Sequence, residues 1–437
     1  MQKIQFSDME LSNEMQRAVE EMGFEEPTSI QAASIPMILS GRDVIGHSQT
    51  GTGKTAAFSI PAIEKINPAG GRKTQVLILC PTRELAVQAC DEIRKFAKYK
   101  PFLKVVPIYG GQPIERQFTA LRGGAQIVVG TPGRVMDHMR RGTLKLDTLH
   151  MIILDEADEM LSMGFREDIE TILKDVPQER QTILFSATMS PEIMRITKQY
   201  QTDPELIRIT REQLTVPNIE QTYYEVPVGK KTEVLSRLLD VYNPSRSIVF
   251  CNTKKQVDEL VEELHARGYQ ARGLHGDMKQ GERTQIMNGF RRGSIDILVA
   301  TDVAARGIDV EDIAAVFNYD IPQDVEYYVH RIGRTGRIGK EGRAFTFVTG
   351  RRQIYELRDI ERFTKSKITL KAVPSSSEVN ETNERKFLDR VRVVLEEGGL
   401  EEYTPYTDAL LEDYASLDIS AALIKMLLKK EQAEPCG

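Results

Sequence analysis

The stretch Ser48-Gln49-Thr50-Gly51-Thr52-Gly53-Lys54-Thr55 constrains the fold of this chain more than any other. Asp43-Val44-Ile45-Gly46 before it reads as a short buried strand, and Lys54 through Ile66 reads as a helix. Small residues between a strand and a helix let backbone N–H groups close around a β-phosphate. Lys54 is placed to reach the β- and γ-phosphates, and the Thr55 hydroxyl to ligate Mg²⁺. Further along, Met151-Ile152-Ile153-Leu154 reads as an apolar strand that delivers Asp155 and Glu156 to its C-terminal edge. Asp155 suits a second Mg²⁺ contact held through water. Glu156 suits orienting or deprotonating an attacking water. The two stretches together imply a site that binds a nucleoside triphosphate with Mg²⁺ and cleaves it.

Short apolar strands alternate with helical patterns around these motifs. Val76–Cys80, Val105–Tyr109, Gln126–Gly130, Met151–Leu154 and Thr182–Ser186 are strand candidates in the first half. Ser247–Cys251, Gln270–Leu274, Ile295–Ala300, Ala314–Tyr319 and Gly342–Val348 are candidates in the second. This rhythm implies parallel sheets covered by helices on both faces. It breaks in the polar stretch around Pro217, and a single core stops growing at about 250–300 residues, so two α/β domains are expected. The expected division is 1–209, a linker at 210–217, 218–370, and a helical extension at 371–437. In that extension Glu381–Glu397 and Asp408–Lys430 carry apolar residues at helical spacing.

Composition excludes several classes. The 437 residues are 41% hydrophobic and 28% charged, as in globular proteins, and no apolar run approaches a membrane span. Met1–Phe6 has no apolar signal core, so a cytoplasmic protein is expected. Four cysteines without CxxC spacing indicate neither a zinc site nor a disulfide framework, and Cys80 and Cys251 read as core fillers. The net charge of −6 lies entirely in 371–437, where 8 Lys+Arg face 14 Asp+Glu; the remaining residues carry 50 of each sign. A neutral core can still hold a local basic groove.

The ordered set of motifs resembles the DEAD-box family of ATP-dependent RNA helicases over about residues 6–370, and Asp155-Glu156-Ala157-Asp158 is the string that names that family. The resemblance implies two tandem RecA-like domains with ATP and Mg²⁺ as ligands. Gly23-Phe24-Glu25-Glu26-Pro27-Thr28-Ser29-Ile30-Gln31, with Phe6 before it, looks like the adenine-reading motif. Gln31 would pair with the amino and N7 edge of adenine, and Phe24 would pack on the base. Pro81-Thr82-Arg83-Glu84-Leu85, Gly110-Gly111 and Thr131-Pro132-Gly133-Arg134 resemble the RNA-contacting segments of the first domain. Each follows a strand, at the edge where open α/β sheets bind ligands. Ser186-Ala187-Thr188 matches the motif that links ATP state to RNA. Its hydroxyls would bond the Asp158 region, or Ser186 or Thr188 would cap a helix.

In the second half, Val249-Phe250-Cys251-Asn252-Thr253 and Gln280-Gly281-Glu282-Arg283 resemble RNA-side motifs. Ala300-Thr301-Asp302 through Gly307-Ile308-Asp309 resembles the segment that touches both ligands: Thr301 and Asp302 at RNA, Gly307 and Asp309 at ATP, with Asp309 accepting from the ribose. In His330-Arg331-Ile332-Gly333-Arg334-Thr335-Gly336-Arg337 the arginines at i and i+3 suit a γ-phosphate, with Arg337 as the finger, Arg334 beside it and His330 in the interdomain coupling.

The resemblance therefore implies an RNA-stimulated ATPase that closes two domains on RNA and locally separates short duplexes. Contacts would go mostly to phosphates and 2′-OH groups, with little sequence preference. An ATP-gated RNA clamp and a DNA-acting motor are the rival readings, and a duplex-release assay separates clamp from helicase. Bacterial members with a helical segment like 371–437 often use it to dimerise. Leu395/Leu400, Leu410/Leu411 and Leu423/Met426/Leu427 would be the buried anchors, or the helices pack onto the second domain. Some relatives continue into a further RNA-binding module, and neither that nor a basic glycine-rich tail occurs up to Gly437, which leaves the targeted RNA open. RNA-decay and ribosome-assembly partners fit the family equally.

Overall fold

A computed structural model describes residues 5–48, 52–208, 219–305, 313–322, 325–336, 341–364 and 366–433. Gln49, Thr50, Gly51, Gly307, Asp309, Arg337 and the linker expected at 210–217 lie outside the described residues.

The described chain forms two compact units, each built on a seven-stranded parallel sheet. The first holds β1 (Val44–His47), β2 (Val76–Leu79), β3 (Val105–Ile108), β4 (Ile127–Gly130), β5 (Met151–Leu154), β6 (Gln181–Ser186) and β7 (Glu205–Arg208) in the order β3-β4-β2-β5-β6-β1-β7. The second holds β8 (Ile219–Glu225), β9 (Ser247–Phe250), β10 (Ala271–Leu274), β11 (Ile297–Ala300), β12 (Ala315–Asn318), β13 (Gly342–Val348) and β14 (Thr369–Leu370) in the order β10-β11-β9-β12-β13-β8-β14. Numbered within its own unit, each sheet reads 3-4-2-5-6-1-7. The expected pair of tandem RecA-like sheets is the fold.

Central strands such as Val76-Leu77-Ile78-Leu79 and Met151-Ile152-Ile153-Leu154 are buried throughout, because helices cover both faces. Side chains alternate between faces. Val76, Ile78 and Cys80 join one apolar cluster, while Leu77 and Leu79 join the other. The second unit divides likewise, with Val249, Val299 and Phe317 on one side of its sheet and Ile219, Tyr328 and Ile332 on the other. The predicted strands all appear, with ends shifted by up to two residues, and β7, β8 and β14 are additional.

The extension is helical, as its periodicity predicts, with different boundaries. The first helix runs Ser376–Glu397 and starts early because Ser375 and Glu378 form a capping box. The second expected helix is two, Thr404–Leu411 and Ser416–Ala433. Val379 and Phe387 of the first helix are buried, and that helix lies against the helix Lys231–Tyr242. Lys386 donates to the Asp240 carbonyl there, and Arg237 donates to the Pro374 carbonyl at 3.0 Å. The residues named as anchors are different ones: Leu395, Leu400, Leu410, Leu411, Leu423, Met426 and Leu427 are all exposed, by 38–69%. No helix among the described residues is long and apolar enough to cross a membrane.

Candidate functional site

The nucleotide motifs of the first unit gather at the carboxyl edge of β1, β5 and β6. Gly53 caps the helix Lys54–Glu64 at φ +88°, and a Cβ there would sit 2.4 Å from Gln31 Nε2. The position therefore takes only glycine. Gln31, almost fully buried, spends both ends of its amide inside the chain. Its Oε1 accepts the Thr28 N–H at 2.9 Å, and its Nε2 donates to the Gly53 carbonyl at 3.1 Å. Thr28 Oγ1 donates to the Thr52 carbonyl at 2.8 Å. The adenine-reading segment is thus fastened directly to the phosphate loop. Phe24 packs between Phe6 and Phe96, with ring centroids 6.2 and 6.1 Å away.

Lys54 is buried, and its Nζ has no hydrogen-bond partner among the described residues. Thr55 follows it in the first turn of the same helix. A buried ammonium left this way is costly unless an anion meets it. Ser48 opens the loop; its N–H donates to the Ser186 carbonyl at 3.1 Å, and its Oγ lies 3.2 Å from Thr52 Oγ1.

Asp155 and Glu156 follow β5 and are both buried. Burial pushes the Asp155 carboxyl up to about 6, with Lys54 pulling it down and Glu156 pushing it further up. The Glu156 N–H donates to Asp155 Oδ1 at 3.0 Å. Glu156 sits at φ 49°, ψ 52°, a left-handed conformation that costs a non-glycine residue about 1–3 kcal/mol and concentrates at functional sites. This turn sends β5 into the helix Ala157–Ser162. Asp158 Oδ2 there accepts the N–H groups of Ala187 and Thr188 at 3.1 and 2.9 Å. The link from Asp158 to Ser186-Ala187-Thr188 is therefore made by backbone amides, not by the hydroxyls. Ser186 Oγ instead donates to the Thr188 carbonyl at 2.6 Å. Neither residue caps the next helix, since Ser190 does.

The three loops assigned to RNA follow β2, β3 and β4. After Pro81, Thr82 caps the helix Arg83–Phe96, its Oγ1 accepting the Leu85 N–H at 3.3 Å. The Arg83 guanidinium lies 4.5 Å from the Tyr109 ring centroid, and its Nη1 is buried without a hydrogen-bond partner. Gly111 turns at φ +81°. Thr131 caps the helix Pro132–Arg140, and Arg134 donates both Nη groups to the Gln112 carbonyl at 3.3 and 3.2 Å.

In the second unit, Thr301 links β11 to the short helix Asp302–Ala305, while Arg283 lies in the first turn of the helix Gln280–Arg292. Asp302 is committed elsewhere: its two oxygens accept from Arg331 Nε at 2.6 Å and Nη2 at 2.7 Å. Arg331 is fully buried and also donates to the Asp320 carbonyl at 2.6 Å and to Asn252 Oδ1 at 2.9 Å. Its guanidinium carbon is 5.1 Å from the Phe250 ring centroid. Arg334, one turn on, is buried and donates Nε to the His330 carbonyl at 3.2 Å. The sequence reading assigned Arg331 no role. Its signal was a polar residue just past or at the end of each of three strands, namely Asn252 after β9, Asp302 after β11 and Asn318 in β12. The sheet order makes those strands neighbours.

A phosphate loop with paired carboxylates on one parallel sheet, and an arginine-rich helix end on a second sheet of the same topology, define a tandem RecA-like ATPase of the helicase class. The DEAD/DEAH box helicase model matches residues 28–196, the helicase conserved C-terminal domain 230–339, and the RNA helicase DeaD dimerization domain 374–435. The chain belongs to the DEAD-box ATP-dependent RNA helicases. It is 51% identical over 430 residues to the DEAD-box ATP-dependent RNA helicase CshA of Geobacillus kaustophilus, covering 98% of this chain and 91% of that one. The Bacillus subtilis CshA is 49% identical over 432 residues, covering 99% and 87%. Among solved structures, S. cerevisiae Dbp5 bound to RNA and ADP BeF₃ aligns with a TM-score of 0.78 at 31% identity, covering 87% of this chain and 99% of that one.

Proposed function

We propose that this RNA helicase works by closing its two domains, 1–209 and 218–370, across the 210–217 linker on ATP and RNA together. The buried Lys54 Nζ, without a hydrogen-bond partner among the described residues and close enough to Asp155 to pull its carboxyl pKa down, carries the reading, because it leaves an ammonium for an anion with the Glu156 carboxylate next along the chain. Lys54 and the loop from Ser48 to Thr55 take the β- and γ-phosphates. Gln31 reads adenine by exchanging its Thr28 or Gly53 bond for the base, which couples nucleotide entry to the phosphate loop. Glu156 takes a proton from the attacking water. Thr55 and Asp155 would hold Mg²⁺, Asp155 through water, and the ion would supply charge neutralisation for the phosphates. Gly307 and Asp309 contact the nucleotide, and Arg334 and Arg337 meet the γ-phosphate after closure.

RNA lies across Pro81-Thr82-Arg83, Gly111, Thr131 and Arg134 in the first domain and Arg283 and Thr301 in the second. Asp302 takes part by holding Arg331. Asp158, Ser186, Thr188 and His330 transmit the nucleotide state. Contacts to phosphates and 2′-OH groups give little sequence preference. Closure bends one strand and separates a short duplex; hydrolysis and phosphate release reopen the cleft. The enzyme acts in the cytoplasm, where RNA-decay and ribosome-assembly complexes supply its substrates.

The extension at 371–437 joins two copies. The exposed apolar side chains beyond Phe387 support this, since apolar patches of that kind mark interaction surfaces. Light scattering before and after removal of the chain from Pro374 onward tests it, and an unchanged mass per particle overturns it.

Steady-state ATP hydrolysis without nucleic acid, with single-stranded RNA and with matched DNA tests the central reading. Strong stimulation by RNA alone is expected. Equal stimulation by DNA would overturn the role given to the 2′-OH groups.

A further inference from the structure

Two of the three RNA-assigned loops of the first unit meet at Tyr109, and side-chain bonds run from it to the helix that carries the third. Tyr109 follows β3 and is 9% exposed. Its ring carries the Arg83 guanidinium at 4.5 Å, and its carbonyl accepts Gln117 Nε2 at 2.9 Å. Gln117 Oε1 in turn lies 3.0 Å from His138 Nε2. His138 is on the helix Pro132–Arg140 that Thr131 caps, and it is fully buried, with Phe118 edge-on to its ring at 5.5 Å. Its Nδ1 is 2.8 Å from Thr143 Oγ1. At the rim, Arg134 closes the same circuit by donating to the Gln112 carbonyl.

The hydrogen-bond polarity is determined by these neighbours. Gln117 gives its amide N–H to Tyr109, so its Oε1 faces His138 and requires an N–H there. His138 therefore presents an N–H at Nε2 to Gln117, while Thr143 Oγ1 lies 2.8 Å from Nδ1 and 3.1 Å from the His138 carbonyl and has one proton to give between them. Tyr109 stands immediately before Gly110-Gly111, the pair whose backbone is least restricted by its own side chains. The carbonyl that Gln117 holds is the last anchor before that pair.

We propose that His138 is a positioning residue for RNA binding: through Gln117 and Tyr109 it fixes the loops at 81–85, 109–112 and 131–134 relative to one another. The ring is sealed from solvent and touches no nucleic acid itself. The proposal rests on the RNA role given above to those loops. It adds a determinant of RNA affinity that lies outside every motif of the sequence.

The test uses the full chain and reads two quantities: the single-stranded RNA concentration that half-saturates ATP hydrolysis, and the affinity for a fluorescent ATP analogue. In His138→Leu the RNA term should rise about tenfold, as expected when a buried Gln117 oxygen loses its donor, while nucleotide affinity stays within about twofold. His138→Gln places an amide N–H where Nε2 stood and should recover most of the RNA affinity. Where His138→Leu does not fold, Gln117→Leu breaks the same path and is read identically. Arg134→Ala separates the two levels of the argument. If it leaves RNA affinity intact, the loop assignment fails. If it weakens RNA binding and neither leucine variant does, the loop assignment stands and the positioning role is overturned. Parallel loss of RNA and nucleotide affinity, without recovery in His138→Gln, also overturns it.

Discussion

The two units share a strand order and use their buried charges in opposite ways. In the first, Lys54 is buried with no hydrogen-bond partner among the described residues, and Asp155 is held well above the ordinary carboxylate range by burial. In the second, Arg331 is buried just as completely, yet Asp302, Asn252 and the Asp320 carbonyl take up its donors. A buried charge without partners costs stability and keeps its interaction energy for a ligand. A buried charge with all its partners is part of the architecture, and removing one side leaves the other stranded. The first sheet thus leaves a buried ammonium without a hydrogen-bond partner among the described residues, and the second fixes Arg331 one turn before Arg334.

The largest effects should appear where the second unit acts on the first. Arg334→Ala, which removes the guanidinium beside the expected finger Arg337, should lower RNA-stimulated ATP turnover by up to the range of about 10³–10⁵ that an arginine finger supplies. Nucleotide binding to the first unit should change little, and a fluorescent-nucleotide titration beside single-turnover hydrolysis reads both. Turnover within tenfold of wild type would mean that Arg334 is only another architectural arginine, like Arg331. Next in size, Glu156→Gln should lower turnover by about 10²–10⁴, the usual contribution of a general base, and leave ATP binding intact. Wild-type turnover in that variant would remove Glu156 from the chemistry.

The local chemistry of both sites was legible because it is written in contiguous strings: a loop from Ser48 to Thr55, two carboxylates after an apolar strand, arginines at i and i+3. Likewise the central strands announced themselves as unbroken apolar runs. The missed strands had no such signal. In β8, Ile219, Thr222 and Tyr224 face inward between Glu220, Gln221 and Tyr223, so the run reads as polar. Only Ile207 of β7 is buried, and β14 is two exposed residues recruited at the sheet edge. What no string could show is pairing across the sheet. The Arg331 partners are spread from Asn252 to Asp320 and become neighbours only through the order β11-β9-β12. The engagement of both ends of Gln31 by Thr28 and Gly53 is likewise a fact of folding, not of spacing.

Stability measurements can break the comparison directly. Arg331→Met leaves the Asp302 carboxylate without its bidentate partner and should cost about 3–5 kcal/mol, as breaking a buried pair does. Lys54→Met removes a buried charge that has no hydrogen-bond partner among the described residues and only the Asp155 charge to offset its burial, so it should cost far less stability than Arg331→Met, while abolishing tight ATP binding. Chemical denaturation of the nucleotide-free chain measures both. If Lys54→Met were as destabilising as Arg331→Met, the idea that the first unit holds its charge in reserve for a ligand would fail.

The smallest expected effect concerns the buried His138. Burial, and secondarily the Arg134 charge, push its imidazole below the ordinary value of 6.5. The native state therefore keeps the ring neutral at a pH where the unfolded chain already takes up a proton. The stabilising contribution is fully present above the ordinary value and is lost as pH falls through the lowered native one. The denaturation midpoint of the wild-type chain should accordingly drop more steeply between pH 7.5 and 5 (a window spanning about the ordinary histidine range) than that of His138→Gln, which has no proton to gain. A neutral ring keeps its Nε2 donor for Gln117, so RNA affinity at constant ionic strength should hold while the native ring stays neutral, fall in the wild type only below the lowered native value, and show no such fall in the variant. Parallel pH profiles for the two proteins would show that the ring is not held neutral.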